Sequence, residues 1–319
     1  MDKNFDVVAL GELLVDFTQN GTSEQGNALF EACPGGAPAN VLAMLRKLDK
    51  SCAFIGKVGA DSFGDMLEDV VRRAGVDCRA LRRDREVHTT LAVVHTLPGG
   101  DRDFSFYRKP GADVNLQSGE LDLDLIDSAR IFHFGTLSLT DEPCRSATME
   151  AVARAKAAGA LLSFDPNLRP PLWESENAAR EAIDWGLGQC DILKIADNEL
   201  LFMTGESDFS AGAAVLRRRH PAIRLLNVTA GADGSWSFYG DLAVHEPGRA
   251  LGGVVDTTGA GDTFCACVLS FVLERGLDGL TEDDLHGMLR FANTAAYIVT
   301  TKKGAIRSMP ERAAVEALL

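Results

Sequence analysis

The chain lacks a G-x-x-x-x-G-K-[ST] segment: Gly56-Lys57 has neither the upstream glycine nor a following Ser or Thr. A P-loop mechanism is thereby excluded. No G-x-G-x-x-G follows the first apolar run, so a dinucleotide-dependent oxidoreductase loses its main support. Seven cysteines, at positions 33, 52, 78, 144, 190, 265 and 267, include no C-x-x-C pair. They outline neither a disulfide framework nor a zinc site and are expected to be reduced, mostly buried small hydrophobes. Cys265 and Cys267 stand two apart on a helix and so point to different faces. The six histidines stand apart from one another, and His133, inside an apolar run, is expected to be a satisfied interior residue. Basic charge is in deficit, with 32 Lys and Arg against 46 Asp and Glu and a net charge of −14. Nucleic acid, which selects basic surfaces, is not an expected partner. A nucleotide bound with magnesium is compatible with that balance, because the cation and a few N–H groups set the local field. No apolar run approaches the roughly 20 residues that span a bilayer. The opening MDKNFDVVALGE has no basic stretch and carries acids where a signal peptide would be apolar, so a cytoplasmic location without membrane contact is expected.

What is present is an ordinary globular composition, 319 residues with 46% hydrophobic and 24% charged, enough for one large α/β domain. Short apolar runs at 6–10, 53–56, 131–134, 161–164, 192–195 and 225–228 alternate with loops and helical patterns, including helices over 62–74 and 143–158. That rhythm predicts a mostly parallel sheet with helices on both faces and polar residues after the strands at the ligand-facing edge. Residues 88–107 break it, reading as two extended segments, 89–97 and 103–107, joined by Pro98-Gly99-Gly100-Asp101. Phe17 and residues 28–33 supply candidate strands beside them.

The most telling segment is Val254-Val255-Asp256-Thr257-Thr258-Gly259-Ala260-Gly261-Asp262-Thr263-Phe264, followed by an apolar helical run to Leu273. Glycines at the start of a helix let backbone N–H groups and the helix dipole converge on an anion. Asp262 places a proton-accepting carboxylate beside that anion hole of Gly259, Ala260 and Gly261. Taken alone, the same residues would also suit a helix cap and a turn. A second glycine-led helix begins at Cys33-Pro34-Gly35-Gly36-Ala37-Pro38-Ala39-Asn40, with Asn40 one turn inside. Together the two segments resemble the signature regions of ribokinase-like (PfkB-type) carbohydrate kinases. Residues 102–115, 131–148 and 161–173 look like the corresponding stretches of fructokinases within that family, so the likeness covers nearly the whole chain.

The resemblance implies a ribokinase-like α/β fold over residues 1–319, with a discontinuous β lid from about 17–33 and 88–109 that often makes a dimer contact. It implies an ATP- and magnesium-dependent sugar kinase, here a fructokinase forming fructose 6-phosphate, with Asp262 as catalytic base. Sugar hydroxyls would be read by Asp16, Gly35, Gly36 and Asn40, and covered by Phe104, Phe106 and Tyr107. Arg108 would reach a hydroxyl or the transferred phosphate; with Tyr107, Pro110, Ala112 and Asp113 it forms the stretch that favours fructose. Asp165-Pro166-Asn167-Leu168-Arg169 would bring Arg169 to the sugar end of the phosphates. Nucleotide contacts fall on Lys194, Glu199, Thr229, Gly231, Gly234, Gly261 and Asn293, with Glu199 holding magnesium through water. Many relatives carry Asn three residues before that acid, whereas this chain has Ala196. Asp256, Thr258, Val299, Lys302, Gly304 and Ser308 resemble a potassium site, whose use varies across the family. A 2-keto-3-deoxygluconate kinase, a ribokinase or nucleoside kinase, and a silent kinase-like scaffold are the alternatives; the last would be expected to have lost Asp262 or its glycines.

Overall fold

The runs of Val, Ile, Leu and Phe that end in Gly, Asp or Ala form strands buried on both faces, the pattern of parallel pairing under two layers of helices. The computed structural model describes residues 3–96, 102–249 and 252–319. In chain order the elements are β1 (Phe5–Leu10), β2 (Leu14–Thr22), β3 (Ala28–Gly35), α1 (Ala37–Lys47), β4 (Cys52–Gly59), α2 (Ser62–Arg73), β5 (Asp77–Asp84), β6 (Leu91–Thr96), β7 (Arg102–Tyr107), α3 (Leu123–Asp127), β8 (Ala129–Gly135), α4 (Cys144–Ala157), β9 (Leu161–Asp165) and α5 (Glu176–Leu187). They continue with β10 (Ile192–Ala196), α6 (Asp197–Thr204), α7 (Phe209–Arg219), β11 (Leu225–Thr229), β12 (Ser235–Tyr239), β13 (Leu242–Glu246), α8 (Ala260–Arg275), α9 (Glu282–Thr300) and α10 (Arg312–Glu316).

Nine strands form the main sheet in the order β13-β12-β11-β10-β9-β8-β1-β4-β5. From β11 to β5 every pairing is parallel, while β12 and β13 add an antiparallel margin. Helices α1, α8 and α9 cover one face, and α3, α4 and α5 contribute to the other core. Helix α8 is apolar all round because it lies between the sheet, α1 and α9; Cys265 and Cys267 point to different faces yet are both buried. His133 is buried with Nδ1 3.0 Å from Ser163 Oγ on the next strand, and desolvation lowers its pKa to about 3, so it is a neutral interior residue.

A second sheet, β3-β2-β6-β7, stands apart from the first, with β2 and β6 parallel and the outer pairs antiparallel. Its first strand begins at Leu14, so Asp16 lies within β2 opposite Cys33 rather than in a loop after β1. Strand β6 starts at Leu91, later than the apolar pattern suggests. Thr89 is tied sideways to the Asp61 carboxylate through N–H and Oγ1, both at 2.8 Å, and Thr90 Oγ1 donates to Asp113. The expected turn at 98–101 lies outside the described residues, as does the side chain of Phe104. No helix among the described residues is long and apolar enough to cross a membrane.

Candidate active site

Two cavities meet at the start of α8. The first, about 410 Å³, is enclosed by the ends of the parallel strands, by α1 and by the second sheet. Asp16, Gly36, Asn40, Phe106, Arg169, Lys194, Asp256, Thr258, Gly259, Gly261, Asp262 and Gly304 all lie on its wall. The second, about 370 Å³, is lined by Thr229, Gly231, Gly234, Ala260, Phe264, Asn293 and Ala296 among others. Thr257 and Gly261 border both. Residues from positions 16 to 304 are thus gathered around one helix end.

Why α8 begins where it does follows from Gly259. Its φ of 81° is left-handed, and a Cβ there would sit 2.7 Å from Ala305 Cβ, so only glycine fits. The N–H of Ala260 closes the turn onto Thr257 O at 3.3 Å. That donor is therefore partly used within the protein, and the first-turn N–H groups that follow it are the ones a helix start leaves without intrahelical partners.

Asp262 is the acid of that first turn. Its Oδ2 accepts from Asn40 Nδ2 at 2.7 Å, linking α8 to α1. Burial is the largest influence and raises the carboxyl pKa to about 6, with Asp165 adding to the rise; Asn40, Lys194 and Arg169 act against it. The other side of the Asn40 amide, Oδ1, is buried without a hydrogen-bond partner.

Beneath Gly261 lies Lys194 on β10. Its Nζ is 3.1 Å from Asp165 Oδ2, and a Cβ on Gly261 would come 3.1 Å from the same Nζ. Burial disfavours that ammonium, but Asp165, Glu199 and Asp262 outweigh it and hold the pKa above its usual value. The loop after β9 then turns through Asn167, at φ 44°, and delivers half-buried Arg169 to the wall.

Several expected residues sit elsewhere. Arg108 is not on the first cavity's wall: it is 3% exposed, and its guanidinium donates to Asp113 Oδ2 (2.8 Å), Thr140 Oγ1 (2.8 Å) and Leu137 O (2.6 Å). Asp113, two residues beyond Gly111, is the buried counter-charge that draws it inward. Tyr107 is 64% exposed and faces a separate groove with Phe63 and Pro110, which Phe106 also borders. Gly35 serves the site indirectly, since a Cβ there would strike Asp16 Oδ2. Glu199 is buried off both walls, with its carboxylate accepting from Leu168 N–H (2.7 Å) and Ala196 N–H (2.8 Å). Asn293 borders the second cavity, but its amide is engaged inside the protein, accepting from Ser235 Oγ (2.8 Å) and donating to Glu246 O (3.0 Å). Thr229 to Gly234 is a hairpin turn between β11 and β12 that also lines that cavity. Asp256 accepts from Thr258 N–H (2.7 Å) and Gly304 N–H (3.0 Å), whereas Val299, Lys302 and Ser308 lie off the wall. Sequence reasoning passed over Glu12, Thr18 and Cys33, all on the first wall. Only the proximity of Glu12 to Asp16 signalled the first.

A helix start whose turn borders a polar cavity holding the Asp262 carboxylate and, beyond Gly261, a largely apolar cavity has the layout of a group-transfer site. One cavity suits a hydroxylated acceptor and the other a donor. The chain belongs to the pfkB family of carbohydrate kinases, which it matches over residues 4–312. It is 43% identical over 310 residues to a protein described as probable fructokinase-2 of Arabidopsis thaliana, covering 95% of this chain and 92% of that one. Among solved structures it is similar to the fructokinase with bound ATP from Xylella fastidiosa (TM-score 0.88, 30% identity, 98% and 97% of the two chains). It is also similar to a double-mutant fructokinase from Vibrio cholerae O395 in a fructose-, ADP- and potassium-bound form (TM-score 0.87, 30% identity, 100% of each chain).

Proposed function

We propose that the protein is a fructokinase that transfers the γ-phosphoryl group of ATP to the primary hydroxyl of D-fructose. The observation that carries this is Asp262, a carboxylate raised to about 6 on the wall of the first cavity, next to Gly261, which borders both, and hydrogen-bonded to Asn40. The sugar oxygen attacks the γ-phosphorus as its proton passes to Asp262, the bond to the bridging oxygen breaks, and ADP leaves. Asp16, Gly36 and Asn40 hold the other hydroxyls, and Phe106 of the second sheet, acting as a lid, covers the ring. N–H groups of the first turn of α8, with Lys194 beneath and Arg169 opposite, stabilise charge on the transferring group. Fructose as acceptor is supported by the fructokinase relatives at full length and by the fructose-bound neighbour.

The nucleotide takes the second cavity, its phosphates over Thr229, Gly231, Gly234 and Gly261. Magnesium commonly keeps several waters and needs few protein carboxylates. That suits Glu199, whose oxygens are already accepting from two backbone N–H groups, as an outer partner through water. When bound, the cation would supply charge neutralisation for the nucleotide's phosphates. A potassium ion beside Asp256, Thr258 and Gly304 is supported by the potassium-bound relative. The seven free thiols suit a reducing, cytoplasmic compartment.

The test is ADP release by purified protein with magnesium–ATP, comparing D-fructose, 2-keto-3-deoxygluconate, ribose and adenosine in sodium or potassium. Fructose-selective turnover is expected. Turnover confined to another acceptor would replace the substrate and keep Asp262, and silence with all four would overturn the reading.

A further inference from the structure

Helix α1 presents Gly36 and Asn40 to the acceptor cavity, yet its own N-terminus is poorly provided. The N-cap residue is Gly36, no side-chain cap is made from it, and no acid stands in the first turn. A helix start left in that state has unpartnered N–H groups and a partial positive charge. Glu12, 25 residues earlier in the chain, supplies what is missing: its Oε1 accepts from the Ala37 N–H at 2.7 Å. The seat is close on every side. A Cβ on Gly36 would lie 2.3 Å from Glu12 O, and one on Gly11 would lie 2.5 Å from Pro38 Cγ. Glu12 is 3% exposed and yet on the cavity wall. Arg108 and Asp113 are the charged groups that face it from the other side.

We propose that Glu12 is a positioning residue for the acceptor cavity, a cap brought from the β1–β2 connection that fixes the Gly36–Asn40 turn where Gly36 and Asn40 line the cavity and Asn40 holds Asp262. Asn40 makes the dependence sharp. Its Nδ2 is committed to Asp262 at 2.7 Å, so a small rotation of the first turn of α1 displaces both the cavity wall and the base. A buried carboxylate is costly unless hydrogen-bonded, and here the hydrogen bond is spent on a backbone group that carries the recognition residues. This inference rests on the sugar-kinase reading above.

Glu12→Ala, Glu12→Asp and Glu12→Gln in the full-length protein separate positioning from bulk stability. In Glu12→Ala the KM for fructose, and the Kd for fructose without nucleotide, rise by about ten-fold, in keeping with the loss of a helix cap. The KM for magnesium–ATP stays within about three-fold. Glu12→Asp, one methylene too short, shows the same split and replaces Glu12→Ala should that variant not fold. Glu12→Gln, whose amide oxygen can accept the same N–H, recovers fructose affinity to within about three-fold of the parent. Equal rises in both KM values, Gln as impaired as Ala, or an unchanged fructose KM in Glu12→Ala and Glu12→Asp would each overturn the proposal. A parent protein that does not turn over fructose would instead fault the functional reading. Amide exchange at Ala37 still tests the cap in that case: faster exchange in Glu12→Ala supports it, and unchanged exchange rejects it.

Discussion

Asp262 and its neighbours decide the pH behaviour of the site. A base must be ionised to accept a proton, and burial has lifted this one to about 6. The acid limb of kcat/KM for fructose should therefore bend near pH 6 and fall about ten-fold per unit below it. Asn40 donates to the ionised form and holds the value down, so Asn40→Ala should move the limb to higher pH; a shift to lower pH would contradict the assigned contact. Asp262→Asn should cost about 10²- to 10⁴-fold in kcat with ATP affinity within a few fold, a magnitude typical of a lost general base. Two arginines provide a contrast. Arg108→Met leaves Asp113 buried without its cation and should destabilise the fold by about 3–5 kcal/mol in urea titrations. Arg169→Met, at a residue on the cavity wall, should chiefly lower turnover. The sequence alone made both arginines ligand candidates, because the Tyr107 to Asp113 stretch shows the partners of Arg108 but not the direction of its side chain. Asp16, Asn40 and Asp262, by contrast, were legible because each is fixed by a glycine turn or strand beside it.

At the scale of elements, the start of α8 sets the position of everything else. Gly259→Ala combines a left-handed φ of 81° with a contact 2.7 Å from Ala305 Cβ, so the first turn must shift. Gly205, the residue following α6, has a similar φ of 77° but nothing within 4 Å. Both alanines should lose about 1–2 kcal/mol from backbone strain, but only Gly259→Ala should also lose most of its kcat. Equal activity in the two variants would remove the anion-hole role from this turn. Strands β1, β4, β8, β9, β10 and β11 were readable because burial on both faces makes them continuous apolar runs. Strand β5 was not, since Arg79, Arg82 and Arg83 interrupt it. Their charges are answered by Asp77, the Glu120 carbonyl and Glu68, contacts that only the folded chain supplies. The β12–β13 hairpin hides similarly: Ser235 and Ser237 are fully buried, and Ser235 is satisfied by Asn293 of α9. That contact is also why Asn293 is spoken for and not free to read a base.

Across the whole molecule, the second sheet is the smaller of the two. It has four strands with two open edges, β3 and β7. Large apolar side chains are exposed there, Leu29 and Phe30 at 46% each and Tyr107 at 64%. An open edge carrying apolar side chains invites pairing, and a closed two-fold pairing with a second copy satisfies it without growth into filaments. The same sheet carries Asp16 and Phe106 onto the acceptor wall, so its stiffness bears on sugar affinity. The protein should therefore sediment as a dimer at micromolar concentration. Phe30→Lys with Tyr107→Arg should shift it toward monomer and raise the KM for fructose more than that for ATP, since the second cavity is built from the main sheet, α8 and α9. A parent protein that sediments as a monomer, or a monomeric variant with unaltered fructose KM, would separate the sheet's edges from the chemistry and leave its role to the single chain.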